Sequence, residues 1–431
     1  MSAVFFKDAR LLDPAGDMDA EGGLLVEGTR IADVGPHLDT PPAGARVVDC
    51  AGLCLAPGLI DMRVRLGEPG EEHKETFDTL SAAAARGGVT AVVGLPNTDP
   101  PIDDPSVVEF VARRAREVRG VKIYVYGAAT RGFGGERLTE VGLLREAGAL
   151  AFTDGDRAVA DALMMRRVLS YASGFDALII QHAEDPSLAA GAVATEGEIP
   201  TMLGLPAAPA VAEVIMLDRD LRLVELTGAR YHAAHLSTGA SVVSMAAAKR
   251  RGLDVSADTA PVYFALNETE ILDYRTFAKV SPPLRTESDR QAIVRGLRDG
   301  AIDVIASDHW GQDQEAKRLP FAQADPGVVG LETLLPLALE LYHKGEIDLL
   351  DLLAKMTVNP ARLLDLPMGA LTAGAPADLM LFDLDRPAII DVSRFQSKSK
   401  NSPFDGRPVQ GVVAATMVDG RFVYDGQDQT Q

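Results

Sequence analysis

Four residues far apart in the chain, Asp154, His182, His235 and Asp308, could together hold a divalent cation. Imidazole nitrogens and carboxylate oxygens are donors that Zn²⁺ takes, and a carboxylate such as Asp308 could also move a proton during hydrolysis. Two arginines, Arg63 and Arg65 in "DMRVRLGEPG", bring the opposite chemistry. A guanidinium keeps its proton near neutral pH, offers only donors and cannot ligate a metal. Two residues apart on a strand, the pair points to one side. Singly, each candidate has an ordinary reading: a lone histidine at a strand end is usually a satisfied structural residue, and Asp commonly caps a helix. Four at equivalent positions of successive elements reverse that reading.

The elements that must position them alternate along the middle of the chain. The strand-like runs are "LIDMRVRL", "TAVVGLP", "VKIYVYGA", "ALAFTD", "ALIIQHAE", "RYHAAHLST", "LDVSADTAP" and "AIDVIASDH". Between them lie helical segments such as "KETFDTLSAAAARGG", "PSVVEFVARRAREV" and "TGASVVSMAAAKRRG". Strands this apolar are covered on both faces, and eight such units predict an α/β fold, a (β/α)8 TIM-type barrel over residues 56–369. Its chemistry belongs at the C-terminal ends of the strands. There lie Arg63 and Arg65, Asn97, Asp154, His182, His235 and Asp308. Short strands and turns at 1–55 and again at 370–431 predict one small β-rich domain built from both termini.

Composition narrows the partners. Lys+Arg 42 against Asp+Glu 62 gives a net charge of −20, which argues against nucleic acid or an anionic membrane. No apolar run approaches the ~18 residues of a membrane span. Only Cys50 and Cys54 occur, so no disulfide framework or cysteine metal motif is expected. "MSAVFFKDAR" lacks the basic and apolar regions of a signal peptide. A cytoplasmic location is expected.

The segment "PGLIDMRVRLGEPGEEHKETFDTLSAAAARGGVTAVVGLPNTDPPIDD" resembles the opening barrel segment of bacterial dihydroorotases, members of the amidohydrolase superfamily. The resemblance continues through "AFTD", "QHAED", "LGLPAAPAVAE", "RYHAAHLST", "VSPPLR", "ASDH", "GVVGLET" and "LTAGAPADLMLFD". It implies a cyclic amide hydrolase fold of pyrimidine biosynthesis. It matches Asp154 to the family's metal-bridging Asp, His182 and His235 to the second-metal histidines, Asp308 to the catalytic Asp and Asn97 to a substrate contact. The departures are equally specific. Arg63 and Arg65 stand where the family has a His-x-His metal pair, and Gly67 stands where it has the arginine that clamps the substrate carboxylate. Gln312 replaces a downstream substrate-contacting His, Ser281 an Asn, and Ala260-Pro261-Val262-Tyr263 a Thr-Pro-His-His motif.

Two readings follow. In the first the protein is a dihydroorotase-like homologue with lost or impaired hydrolysis, Arg63 and Arg65 replacing the charge of a metal. By family resemblance it then assembles with aspartate carbamoyltransferase and is a homo-oligomer. In the alternative it is an active mononuclear hydrolase of dihydroorotate or a related cyclic amide. Asp154, His182, His235 and Asp308 then hold one Zn ion per chain. A third, an ordinary dihydroorotase that tolerates the arginines, requires two ions, where the first requires none.

Overall fold

The computed structural model describes residues 3–426. Strands from both ends of the chain share one sheet. Its order runs Arg421–Asp425, Pro408–Val418, Leu379–Ile389, Cys54–Pro57, Ala3–Asp13, Met18–Glu27, Arg30–Gly35, with Arg46–Asp49 also paired to the Ala3–Asp13 strand. The short Cys54–Pro57 strand is the joint. It lies parallel to Arg10–Leu11 on one side and antiparallel to Leu379–Phe382 on the other. All four of its residues are buried. Leu11, Leu24, Leu55, Leu379 and Met417 meet in the core beneath, each such side chain contributing about 1.5–3 kcal/mol by leaving water.

Only Gly58 separates that joint from the first barrel strand, Leu59–Val64, so the barrel hangs directly from the sheet. Parallel strands follow at Val89–Gly94 and Lys122–Val125. A second parallel group is Ile179–His182, Tyr231–Ala234, Val255–Thr259 and Val304–Ile305. Single bridges close the ring. Phe152 joins Gly127 to Ile179, and Val64 pairs His309. The fourth position, expected as a strand over "ALAFTD", is thus held by a bridge rather than by a continuous ladder. The chain turns away at once to place Asp154 and Gly155.

The helices form where capping and periodicity direct them. Phe77–Arg86 starts from a Thr76–Thr79 capping box, Pro105–Val118 from an Asp104 cap with proline in its first turn, and Gly239–Arg250 from Thr238. No helix among the described residues is long and apolar enough to cross a membrane.

Candidate functional site

The first barrel strand is buried along its whole length. Its ladder carries a one-residue bulge: Asp61 pairs Val92, and Val64 pairs Gly94. A bulge re-aims the side chain next to it. Arg63 turns inward here and spans the mouth. Its Nε donates to Asp308 Oδ1 at 2.9 Å, and its Nη2 reaches Gly155 O and His235 Nε2, each at 3.4 Å. The Arg63 side chain is 3% exposed.

His182 ends its strand, and His235 follows directly after the next. Both His235 and Asp308 sit at positive φ, 38° and 51°, a cost met only where neighbours over-determine the conformation. For His235 the neighbour is Asp258, itself paired with His232 at 2.8 Å, which accepts the His235 backbone N–H at 2.6 Å. The two imidazoles meet edge-on, His182 Nδ1 lying 2.7 Å from His235 Nε2. On the other side His235 Nδ1 lies 3.0 Å from Asp308 Oδ2. A consistent proton assignment has His235 donating to Asp308 from Nδ1. Its Nε2 lone pair then accepts from His182 and from Arg63.

Electrostatics agree with that assignment. Burial and then the Arg63 charge hold the His235 imidazole below its usual value, against the pull of Asp308. Burial would raise Asp308, but His235 and Arg63 together hold its carboxyl well below the carboxylate range. Asp308 is therefore an ionised partner of both His235 and Arg63.

Arg65 makes a second station on the rim. Its Nη2 pairs with Asp156 at 2.7 Å, its Nη1 donates to Asn97 O at 3.0 Å, and its guanidinium lies 4.3 Å over the Trp310 ring. Asp156 escaped the sequence reading, although an acid two residues after Asp154 in "FTDGD" was its available signal. Burial would push its carboxyl up, but Arg65 and then His182 draw it below the usual range.

Hydrogen bonds join three of the four candidate ligands, His182, His235 and Asp308, while the Asp154 carboxylate is bonded to the loop at Ala129 and Thr130. Asp154 Oδ1 accepts the backbone N–H groups of Ala129 and Thr130 at 3.0 and 2.8 Å, and its other oxygen accepts the Thr130 hydroxyl. Its carboxylate thus caps the loop after the third strand. The next residue faces the site only through its carbonyl, and a Cβ on Gly155 would lie 1.5 Å from Asn97 Oδ1. Asn97 in turn holds the Asp154 carbonyl through Nδ2 at 3.2 Å.

The donor set does not fit a divalent cation. Arg63 and Arg65, where the resemblance leads one to expect a His-x-His ligand pair, are cations that repel a metal ion and lack a lone pair. At the second-metal histidines that the resemblance implies, the His235 Nε2 lone pair already faces two N–H donors, one of them cationic. No group of three His, Cys, Asp or Glu side chains with ligand geometry occurs among the described residues.

The substrate-side departures also have structural causes. Gly67 has φ +72°, and a Cβ there would sit 2.5 Å from Glu75 O. His309 is locked between Glu75 at 3.3 Å and the backbone N–H of Gly330. Gln312 Nε2 donates to Pro326 O at 2.8 Å, and the Tyr263 hydroxyl donates to Pro282 O at 2.9 Å. A strap from the C-terminal segment crosses here. Ser397 and the Lys398 N–H bind Glu75, and Asn401 binds the carbonyls of Trp310 and Gly327. A surface cavity of about 1350 Å³ lies elsewhere, beside Glu340, Ile389 and Arg407.

Known proteins share this architecture. A family profile described as "Dihydro-orotase-like" matches residues 52–241. A protein named dihydroorotase from Anaplasma phagocytophilum (strain HZ) is 46% identical over 98% of this chain and 95% of its own. The chain belongs to the dihydroorotase family. A dihydroorotase from Syntrophus aciditrophicus (strain SB) is 42% identical over 98% of this chain and 99% of its own. Among solved structures, the L-hydantoinase (dihydropyrimidinase) from Arthrobacter aurescens superposes with a TM-score of 0.88 at 28% identity, covering 99% of this chain and 97% of its own. Dihydropyrimidinase from Brevibacillus agri NCHU1002 gives 0.84 at 22% identity, covering 99% and 95%, and speaks for the fold alone. The (β/α)8 barrel with its separate β-rich domain is thus the amidohydrolase architecture. This member of the dihydroorotase family carries Arg63 and Arg65 inside it.

Proposed function

We propose that this protein is a degenerate member of the dihydroorotase family, with dihydroorotate hydrolysis lost or impaired. The observation that carries the reading is the Arg63 guanidinium, which donates to Asp308 and lies against His235 Nε2. Ring opening in the family depends on a metal to activate water and polarise the amide carbonyl. Here a side chain supplies the positive charge and takes up both groups that would serve that ion. Asp308, as the general base, would have to release Arg63 and His235 before accepting a proton. No arginine clamp can stand at Gly67 without displacing Glu75.

The role that remains is structural. By family analogy the partner is aspartate carbamoyltransferase, with this chain as a homo-oligomer in the assembly. The mononuclear alternative, with one Zn ion on Asp154, His182, His235 and Asp308, is disfavoured by the commitment of Asp154 to Ala129 and Thr130.

Metal analysis and dihydroorotate turnover on the purified protein test the reading together. Fewer than about 0.1 ion per chain and turnover at background are expected. One bound ion with turnover supports the mononuclear enzyme, and two ions with robust hydrolysis overturn the proposal. Co-purification with aspartate carbamoyltransferase, followed by size-exclusion chromatography, tests the structural role. Failure to co-elute removes it.

A further inference from the structure

We infer that the outer face of the helix Val211–Thr227 pairs with the same face of a second copy of this chain, the two helices running antiparallel about a two-fold axis. The inference rests on the homo-oligomer of the reading above and names its surface. The helix sends Met216, Leu217, Leu221 and Val224 into the main core. Opposite them, at helical spacing, lie Val211, Ile215, Asp218, Arg222 and Leu226, all exposed. Val211, Ile215 and Leu226 keep 47%, 48% and 64% of their surface in solvent. The helices packed on either side, Ala162–Ser173 and Gly239–Arg250, add the exposed Leu163 and Val243. Single exposed apolar residues need no explanation, but five on three adjacent helices make a patch of the kind that marks an interaction surface.

The order of residues along the stripe says what covers it. A two-fold interface is made by one patch on both subunits, so the stripe must fit its own reversal. Laid antiparallel on a copy, it sets Asp218 against the copy's Arg222 and Arg222 against the copy's Asp218. In the same register Ile215 meets the copy's Leu226, the midpoints of the two pairings falling within about half a residue of each other. Parallel pairing would instead set Asp218 against Asp218. Among the described residues Asp218 makes no ion pair, and Arg222 reaches only Glu225 at 3.8 Å. With −20 on each chain, self-association needs a face whose charges balance against their own copy, and this stripe supplies one. Helices of 12, 17 and 12 residues, spaced ~10 Å apart, outline roughly 600 Å². That is of the order of the ~800 Å² that each partner of a standard interface contributes.

Sedimentation velocity on the full-length protein reads the assembly. The parent should run as a dimer or an even multiple of one, and Ile215→Glu should halve its mass. Asp218→Arg and Arg222→Asp should each raise the dimer dissociation constant about tenfold, and the two together should return it close to the parent's. The charge variants carry the test alone should Ile215→Glu unfold. A monomeric parent, an assembly mass unmoved by Ile215→Glu, or a double swap no tighter than either single variant each overturns the inference. A monomeric parent whose co-elution with aspartate carbamoyltransferase is lost in Ile215→Glu gives the face to that partner and overturns it too. Metal content and turnover of the same sample separate the two levels. Two ions with robust hydrolysis remove the degenerate reading and leave the dimer standing, while a metal-free monomer removes only this inference.

Discussion

Arg63 carries contacts that a metal ion would otherwise compete for: a carboxylate, an imidazole lone pair and a backbone carbonyl. Deleting one partner of a buried ion pair leaves an uncompensated charge, which typically costs about 3–5 kcal/mol. Arg63→Ala should lower the free energy of unfolding by that amount, read as a lower urea midpoint, and adding Asp308→Asn should return part of the loss. Equal stability of Arg63→Ala and the parent would show that the pair is not formed. Asp61, beneath it, is fully buried with Oδ2 unpartnered, and burial pushes its carboxyl up to about 6. A folded-state value above the unfolded one contributes stability that is complete below pH ~4 and is lost as pH rises through 6. Asp61→Asn does not titrate. The margin of the parent over Asp61→Asn should therefore shrink by up to about 3 kcal/mol between pH 4 and 7.5. Urea midpoints at the two pH values decide it.

At the scale of elements, the first strand and its following turn fix what the site can regain. Arg63→His with Arg65→His restores the family's ligand pair, and metal uptake measured by elemental analysis should rise. Dihydroorotate turnover should stay at background, because the turn still excludes the carboxylate clamp. Gly67→Arg would need a side chain at φ +72° and a Cβ 2.5 Å from Glu75 O. It should destabilise the fold by about 2 kcal/mol or more, seen as a lower melting temperature, and not rescue the double variant. A triple variant that melts like the parent and hydrolyses dihydroorotate would contradict this account of the turn.

For the whole molecule, Glu75 is where barrel and C-terminal segment are tied. Its carboxylate accepts from His309, Ser397, Thr79 and the Lys398 backbone. Burial would raise Glu75, but His309 and Ser397 among its partners hold it below the usual range. Glu75→Ala frees the strap while leaving the shared terminal sheet in place. Limited proteolysis should then cut within residues 395–402 faster than in the parent, with stability lower by about 3–5 kcal/mol. An unchanged cleavage pattern would mean that Asn401 and Ser399, whose hydroxyl donates to Lys74 O at 2.8 Å, hold the strap unaided.

Much of this architecture was legible in the residue order, because burial on both faces and helix capping are local signals. Apolar strand runs, the Thr76 and Thr238 caps and the returning strand pattern after residue 370 gave the barrel and the shared sheet. That Arg63 and Arg65 are cations unable to ligate a metal was legible for the same reason: it is a matter of residue type. What lies in direction was not. That Asp154 caps Ala129 and Thr130, that Asp156 meets Arg65, and that the fourth position is held by one isolated bridge on each side of Phe152 depend on where the chain turns after that residue. That turn is set by contacts among three strands distant in sequence, and only the tertiary structure brings them together.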